Sequence, residues 1–444
     1  MSETVTEIFI RSMQKKSSYK FESFGAGEGV SVHVLPTRKF KTTTISLMIG
    51  RELDERATHA ALLAEVLKRA SARYPDMRAI AEQLERMYGA SFSCNVARMS
   101  GRQVLHMRLA LPGENFLPRK VAQTDRGLAF LGEMLLRPRV RDGAFEPDLV
   151  RREKHNLRAK IASLMNDKMA YAQRRCIEEM CREERFRFYE HGDVEKVGRI
   201  HPKGLYDFYG EMLATRPVDV FVVGDVSIRK VAERVRRTFA WRKPGDYSFD
   251  GAEEEPRRAR PRRVVERQNI AQAKLCLGVR TYTRFGRPDY TAAVFYNGLL
   301  GGFPHSRLFR NVREKAGLAY DVHSLIESSK GLVLMGVGLA GANHNKALRI
   351  IRGQMDDLRE GRISRDEMTK TRKGLINRIR ASLDSPSQLI SLYYSQMVGG
   401  RVLSVDEWAR KIRAVTPAQI KALARKATID TIYLLAPEKT KQKK

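Results

Sequence analysis

The residues that could do chemistry together are Arg313 and Tyr320. One is a permanent cation with a fork of N–H donors, and the other is a phenol that can donate or accept a hydrogen bond. Upstream of them, Gly301 and Gly302 free the backbone for a turn, and Ser306 is placed to cap a helix. Leu308, Phe309 and Val312 fall on one face of that helix, and Gly317 can stop it in a left-handed conformation. Tyr320 then opens a strand. Arg313 is expected near the end of one element and Tyr320 at the start of the next, with their polar groups able to converge. Taken alone, such a pair is more often a solvated helix charge and a half-buried strand aromatic.

The rest of the segment changes that balance. Residues 301–320 read G-G-F-P-H-S-R-L-F-R-N-V-R-E-K-A-G-L-A-Y. This run resembles the C-terminal-domain signature of the insulinase and mitochondrial-processing-peptidase superfamily. There a Gly-Gly loop leads to an S-R-L-F helix and then to R-E-K-x-G-L-A-Y. The resemblance implies that Arg313 and Tyr320 contact a substrate peptide beside a zinc ion.

An active member also needs an inverted zinc motif, H-x-x-E-H, on the first helix of its N-terminal half. Two histidines bind the metal, and the glutamate is general base for its water. The matching stretch here is 60–71, A-A-L-L-A-E-V-L-K-R-A-S, where the family reads approximately A-H-F-L-E-H-M-L-F-K-G-T. The three required positions fall on Ala61, Ala64 and Glu65. A further glutamate ligand, the second carboxylate of an E-x6-E pattern, aligns with Lys160, the first carboxylate being Glu153. The resemblance therefore implies a degenerate zinc site, with no metal and no cofactor.

The other histidines do not rebuild it. His59 lies six positions before Glu65, which points the two in different directions on a helix. His305 and His323 flank the signature and are expected in loop roles. There is no phosphate-binding G-x-x-x-x-G-K-[ST] loop, no G-x-S-x-G elbow and no dinucleotide fingerprint. Gly336-Val337-Gly338 lies inside a strand pattern and marks a bulge or close packing.

Composition narrows the class. The chain has 444 residues, 42% of them hydrophobic, and no apolar run approaches a membrane span. The first seventeen residues carry acidic groups and no apolar signal core, so a cytoplasmic location is expected. The four cysteines form no C-x-x-C, which favours idle thiols over a zinc ribbon or redox pair. The net charge of +31 could attract nucleic acid, an anionic surface or acidic substrates. Its dense clusters, at 257–263 and in the lysine-rich tail, have no interleaved aromatics, so nucleic-acid binding is not the first reading.

Strands are expected at 30–35, 42–49, 90–97, 103–111 and 218–223, with helices from 58 and after Pro75, and more between 120 and 190. Residues 240–265 are rich in Gly, Pro, Glu and Arg, as expected of a linker. The order then starts again: strand 273–279, helix 290–300, strands 320–327 and 332–339, further helices, and a last strand at 431–435. This is an internal duplication of about 200 residues. The fold class expected is α+β, two tandem homologous α/β-roll domains, each a largely antiparallel sheet packed against helices. The domains would span 1–240 and 266–444, with 241–265 between them.

The resemblance implies a division of labour. Some related bacterial peptidases have two chains, one keeping the zinc and the other supplying the arginine–tyrosine pair. This chain looks like the non-zinc subunit, inactive alone, working with a zinc-bearing homologous partner or as a homodimer on a peptide substrate. Two alternatives are a purely structural assembly subunit and a basic RNA- or ribosome-associated protein.

Overall fold

A computed structural model of the chain describes residues 20–119, 121–164, 166–239 and 256–438. The strands are β1 (Glu22–Gly25), β2 (Val30–Pro36), β3 (Thr42–Glu52), β4 (Ser91–Met99), β5 (Arg102–Pro112), the short β6 (Val140–Arg141) and β7 (Ala144–Phe145), and β8 (Val218–Gly224) in the first half. The second half contains β9 (Arg262–Gln268), β10 (Ala273–Arg280), β11 (Ala319–Glu327), β12 (Leu332–Leu339) and β13 (Thr428–Pro437). The helices of the first half are α1 (Ala57–Leu67), α2 (Met77–Arg86), α3 (Gln123–Leu136), α4 (Pro147–Ser163), α5 (Lys168–Met180), α6 (Val194–Val197), α7 (Pro202–Thr215) and α8 (Ile228–Thr238). Those of the second are α9 (Tyr290–Leu300), α10 (His344–Glu360), α11 (Arg365–Ser382), α12 (Pro386–Val398), α13 (Val405–Arg413) and α14 (Pro417–Lys426).

The two sheets repeat one topology. The first runs β1-β2-β8-β3-β5-β4 and the second β11-β12-β10-β13-β9. In each, the last strand of the half inserts between two early strands, parallel to one and antiparallel to the next: β8 lies between β2 and β3, and β13 between β9 and β10, while β1 is an added edge strand of the first sheet. The α+β class and the duplication agree with the sequence reading. The strands expected at 30–35 and 42–49 do not pair with each other, because β8 separates them. Part of the expected linker is also strand, since β9 begins at Arg262 and pairs with β13. Residues 240–255 lie outside the described residues.

Near-continuous apolar runs in β3, β8, β10 and β12 reflect burial on both faces. On one face each sheet packs its own helices, among them α1 in the first half and α9 in the second; both are apolar almost all round. The opposite faces are covered by an exchange. Helix α5 of the first half lies on β10 and β13, where Ala172 and Cys176 meet Cys276, Tyr433 and Leu435. Helix α12 of the second half lies on β3 and β8, where Leu389, Ile390 and Tyr394 meet Phe21, Leu35, Met48 and Phe221.

Polar locks fix both contacts. Glu266 of β9 accepts from Tyr171 Oη of α5 at 2.6 Å and from Tyr433 Oη of β13 at 2.7 Å. Arg280, with no exposed surface, donates to Asp430 at 2.9 Å and to the Met180 carbonyl at the end of α5 at 3.0 Å, and also meets Glu184. Lys330 reaches the other oxygen of Glu184 at 2.8 Å. On the α12 side, Ser23 Oγ lies 2.8 Å from both Tyr393 Oη and His33 Nδ1. Charges buried this deeply persist only when paired, so the halves are held at one relative position.

Candidate functional site

The helix aligned with the zinc motif is α1. Its Ala61 and Ala64 are 2% and 1% exposed and belong to the first-half core. Glu65 is buried too, but both its oxygens are taken. Lys160 Nζ of α4 donates to Oε1 at 3.0 Å, and Lys68 of the same turn donates to Oε2. Burial pushes the Glu65 carboxyl upward. The hydrogen bonds and charges of Lys68 and Lys160 outweigh it and leave the group below the ordinary carboxylate value. Glu153 is likewise satisfied, by Arg69 at 3.1 Å and by Asn156 Nδ2 at 2.9 Å.

These residues do not fit a zinc ion. Two alanines offer no lone pair, one carboxylate is saturated by two ammonium groups, and the further ligand position is itself a cation. Among the described residues no group of three or more His, Cys, Asp or Glu could hold a metal. His191, which no sequence motif singles out, lies close enough for the Lys160 charge to act on it. Burial, and then that charge, depress its proton affinity. It packs edge-on against Tyr189 at 5.2 Å. His59 lies half-buried against Phe208 of α7, ring centroids 5.6 Å apart.

The second half builds a different feature. Gly301 and Gly302 both donate to the Asn297 carbonyl, at 3.0 and 2.9 Å, closing α9. Gly301 has a negative φ of −153°, so no left-handed backbone calls for it. Glycine is required there because a Cβ would come 2.7 Å from Ser324 Oγ of β11. Ser306 does not cap the helix that follows. Its hydroxyl is buried without a partner among the described residues, and the start is anchored by Arg307, which donates to Glu367 at 2.8 and 3.0 Å.

From Phe309 to Lys315 the chain winds as a π-helix, a wider turn often found at functional sites. Arg313 stands exposed on it, its guanidinium carbon 4.6 Å above the Phe309 ring. Gly317 adopts φ +62°, and the Leu318 N–H returns to the Val312 carbonyl at 3.0 Å, which reverses the chain into β11. The ladder between β11 and β12 then slips: Ala319 faces Leu339 and Asp321 faces Gly338, with Tyr320 skipped between them. Such a bulge re-aims a side chain. Tyr320 is 82% exposed and, among the described residues, its hydroxyl makes no hydrogen bond.

Around this point β11 is an edge strand, and Leu325 on it is 54% exposed. His323 turns back into the fold, 2.7 Å from Gln173 of α5 and 3.2 Å from Asp321. His305 stacks on Phe303 and lies 3.2 Å from Thr371 of α11. The structure does not bring the two histidines together. Close packing explains the glycine at 336, where a Cβ would come 2.8 Å from Met169 Sδ.

Known proteins place this architecture. A family profile described as "Peptidase M16 inactive domain" matches residues 199–375. A Bacillus subtilis protein named "Probable inactive metalloprotease YmfF" is 31% identical over 94% of this chain and 98% of its own. An "Uncharacterized zinc protease" of Streptomyces coelicolor is 28% identical over 56% of this chain and 57% of its own. Among solved structures, a conserved protein from Enterococcus faecalis superposes with a TM-score of 0.88 at 30% identity, over 94% of this chain and 99% of that one. An M16 inactive domain from Pseudomonas fluorescens gives 0.77 at 18% identity, over 94% of this chain and 98% of that one, and shares the fold. With YmfF matched at this identity along nearly the whole of both chains, and with the duplicated sheets and the Gly301–Tyr320 segment in place, the chain belongs to the M16, insulinase-like peptidase superfamily.

Proposed function

We propose that the chain is a catalytically incomplete M16 subunit that supplies Arg313 and Tyr320, and part of a peptide-binding chamber, to a zinc-bearing homologous partner. The observation that carries this reading is the contrast between the two aligned sites. The zinc-motif position is closed by Lys160 and Lys68 on Glu65, whereas Tyr320 is held out at a bulge with its hydroxyl uncommitted. In the shared site the Tyr320 hydroxyl donates to a substrate carbonyl as negative charge develops on it, and Arg313 adds positive potential there. Neither group needs a proton transfer for this role: Arg313 is set by the π-helix and Tyr320 by the turn at Gly317 and the bulge that follows.

The exposed edge of β11, with Leu325 beside Tyr320, is a surface where a peptide or partner strand can add to the sheet. All four cysteines are buried and free, as expected in a reducing cytoplasm, and among the described residues no helix is long and apolar enough to cross a membrane.

The test is a tagged purification from the native organism with mass spectrometry of the partners, followed by Tyr320→Phe. A similar-sized chain with an intact H-x-x-E-H should co-purify, and the variant should assemble normally while peptide cleavage falls about 100-fold to 1000-fold. Unchanged cleavage by the variant complex would leave a structural assembly role. Recovery of ribosomal components alone would end the peptidase reading.

A further inference from the structure

Two of the arginine-lined clefts on the first half differ in one respect. One, of about 900 Å³ between the ends of α1, α2 and α4, has five arginines and four acidic residues. It is largely self-neutralised: Arg69 meets Glu153 at 3.1 Å and Arg139 meets Glu146 at 2.6 Å. The other, of about 680 Å³ between α2, α3 and α8, is lined by Arg73, Arg86, Arg126, Arg137, Arg234 and Arg237, with Glu133 as its single carboxylate. Among the described residues none of these six forms an ion pair, and the Glu133 carboxylate accepts from the Arg73 backbone N–H at 2.9 Å. Arg234 Nε is out of contact with solvent and has no hydrogen-bond partner there.

Helix ends explain part of this. Arg86, Arg137 and Arg237 sit at or next to the C-terminal turns of α2, α3 and α8, where a cation offsets the exposed carbonyl dipole. That accounts for one arginine on each helix. It does not account for Arg73, Arg126 and Arg234 converging on the same cleft, where Glu133 is the single carboxylate. Repulsion among six guanidiniums is a cost, and it is removed when an anion fills the cleft.

We propose that this cleft binds a phosphate-rich anion, a polyphosphate or a multiply phosphorylated headgroup. Charge density selects the class. A phosphate group brings about −1.5 to −2 in a compact tetrahedron and matches the guanidinium fork two bonds at a time. An acidic peptide carries one charge per residue at about 3.3 Å spacing, and would have to run out of the cleft to match the same positive charge. A nucleic-acid strand needs aromatic faces for its bases, but Tyr74 and Phe130 at this cleft are 8% and 2% exposed and committed to the core. The inference is independent of the peptidase role, since the cleft lies on the helical layer of the first half.

The test is calorimetric titration of the full chain with sodium tripolyphosphate, comparing Arg86→Gln/Arg126→Gln, both exposed, with Arg151→Gln/Arg152→Gln in the self-neutralised cleft. Saturable one-site binding is expected, weakened about tenfold or more in the first variant and less than about twofold in the second. Circular dichroism and thermal melting check that both variants are folded. Sedimentation with phosphatidylcholine vesicles containing phosphatidylinositol bisphosphate then identifies the source. Cleft-dependent vesicle binding means a lipid headgroup, and its absence beside tripolyphosphate binding means a free polyphosphate. No binding of tripolyphosphate, or equal weakening in both variants, overturns the proposal. So does cleft-dependent binding of homopolymeric RNA that tripolyphosphate cannot displace.

Discussion

Lys160 places its ammonium nitrogen 3.0 Å from Oε1 of Glu65, joining α4 to α1. A side-chain cation, rather than a metal, answers the buried carboxylate. The pair therefore belongs to the stability of the first half, and its removal has a calculable direction.

Lys160→Met should destabilise the protein by about 1–2 kcal/mol. That is less than the cost of stripping a fully buried pair, because Lys160 is 40% exposed and Lys68 still serves Glu65. Adding Glu65→Gln to the same chain should recover part of the loss. Urea unfolding midpoints of the two variants measure both, and a neutral Lys160→Met would mean that the contact adds nothing in solution.

Acid should unfold the protein through a few defined carboxylates. Burial pushes Glu65, Glu184 and Glu266 upward, but Lys, Arg and Tyr donors more than reverse this, so each titrates below the ordinary value of 4.5 when folded. The unfolded chain then binds more protons between the folded values and 4.5, and stability falls as pH drops through that window. Above 4.5 the contribution is complete. Melting temperatures recorded from pH 7 to pH 3 should fall below 4.5, and Glu184→Gln should flatten that fall. A profile level to pH 3 would contradict the assignment.

Gly317→Ala tests the turn that presents Tyr320. With φ +62° the alanine pays for a left-handed backbone, about 1–2 kcal/mol, although a Cβ there meets nothing within 4 Å. The expected outcome is a small loss of stability together with lower peptide cleavage in the partner complex. Normal cleavage would show that the position of Tyr320 does not depend on this turn.

Dialysis against EDTA should leave the melting temperature unchanged, and elemental analysis of the purified chain should find no stoichiometric zinc. The reason is the donor set: Ala61 and Ala64 cannot coordinate, and Glu65 is already saturated by two lysines. A metal-dependent melt would require a site built from residues other than these.

Much of the fold is written locally. Apolar runs at 218–223 and 273–279 and the helical stripe from residue 58 each read correctly, because period and composition are properties of a few neighbouring residues. The repeat of that order after residue 265 is enough to expect a duplicated α+β fold. Less legible was β9, whose alternating Arg262–Gln268 segment looks like a continuation of a charged linker until β13 pairs with it.

The signature segment divides in the same way. The sequence shows that position 317 is a glycine and can reverse the chain. It does not show that the turn before it is a π-helix, that Ser306 leaves its hydroxyl uncapped, or that the β11–β12 register slips at Tyr320. The slip, for one, depends on which residues of β12 lie opposite, Leu339 and Gly338, which is information held elsewhere in the chain.

By itself, then, the sequence determines that positions 61 and 64 carry no metal donor and position 160 carries a cation, since side-chain chemistry needs no context. Only the tertiary structure decides that Lys160 reaches Glu65, that α5 and α12 are exchanged between the halves, and that arginines from residue 73 to residue 237 converge on one cleft. The reason is that sheet faces and helix ends are assembled from segments far apart in sequence. The burial and pairing energies that choose among their arrangements exist only once those segments have met.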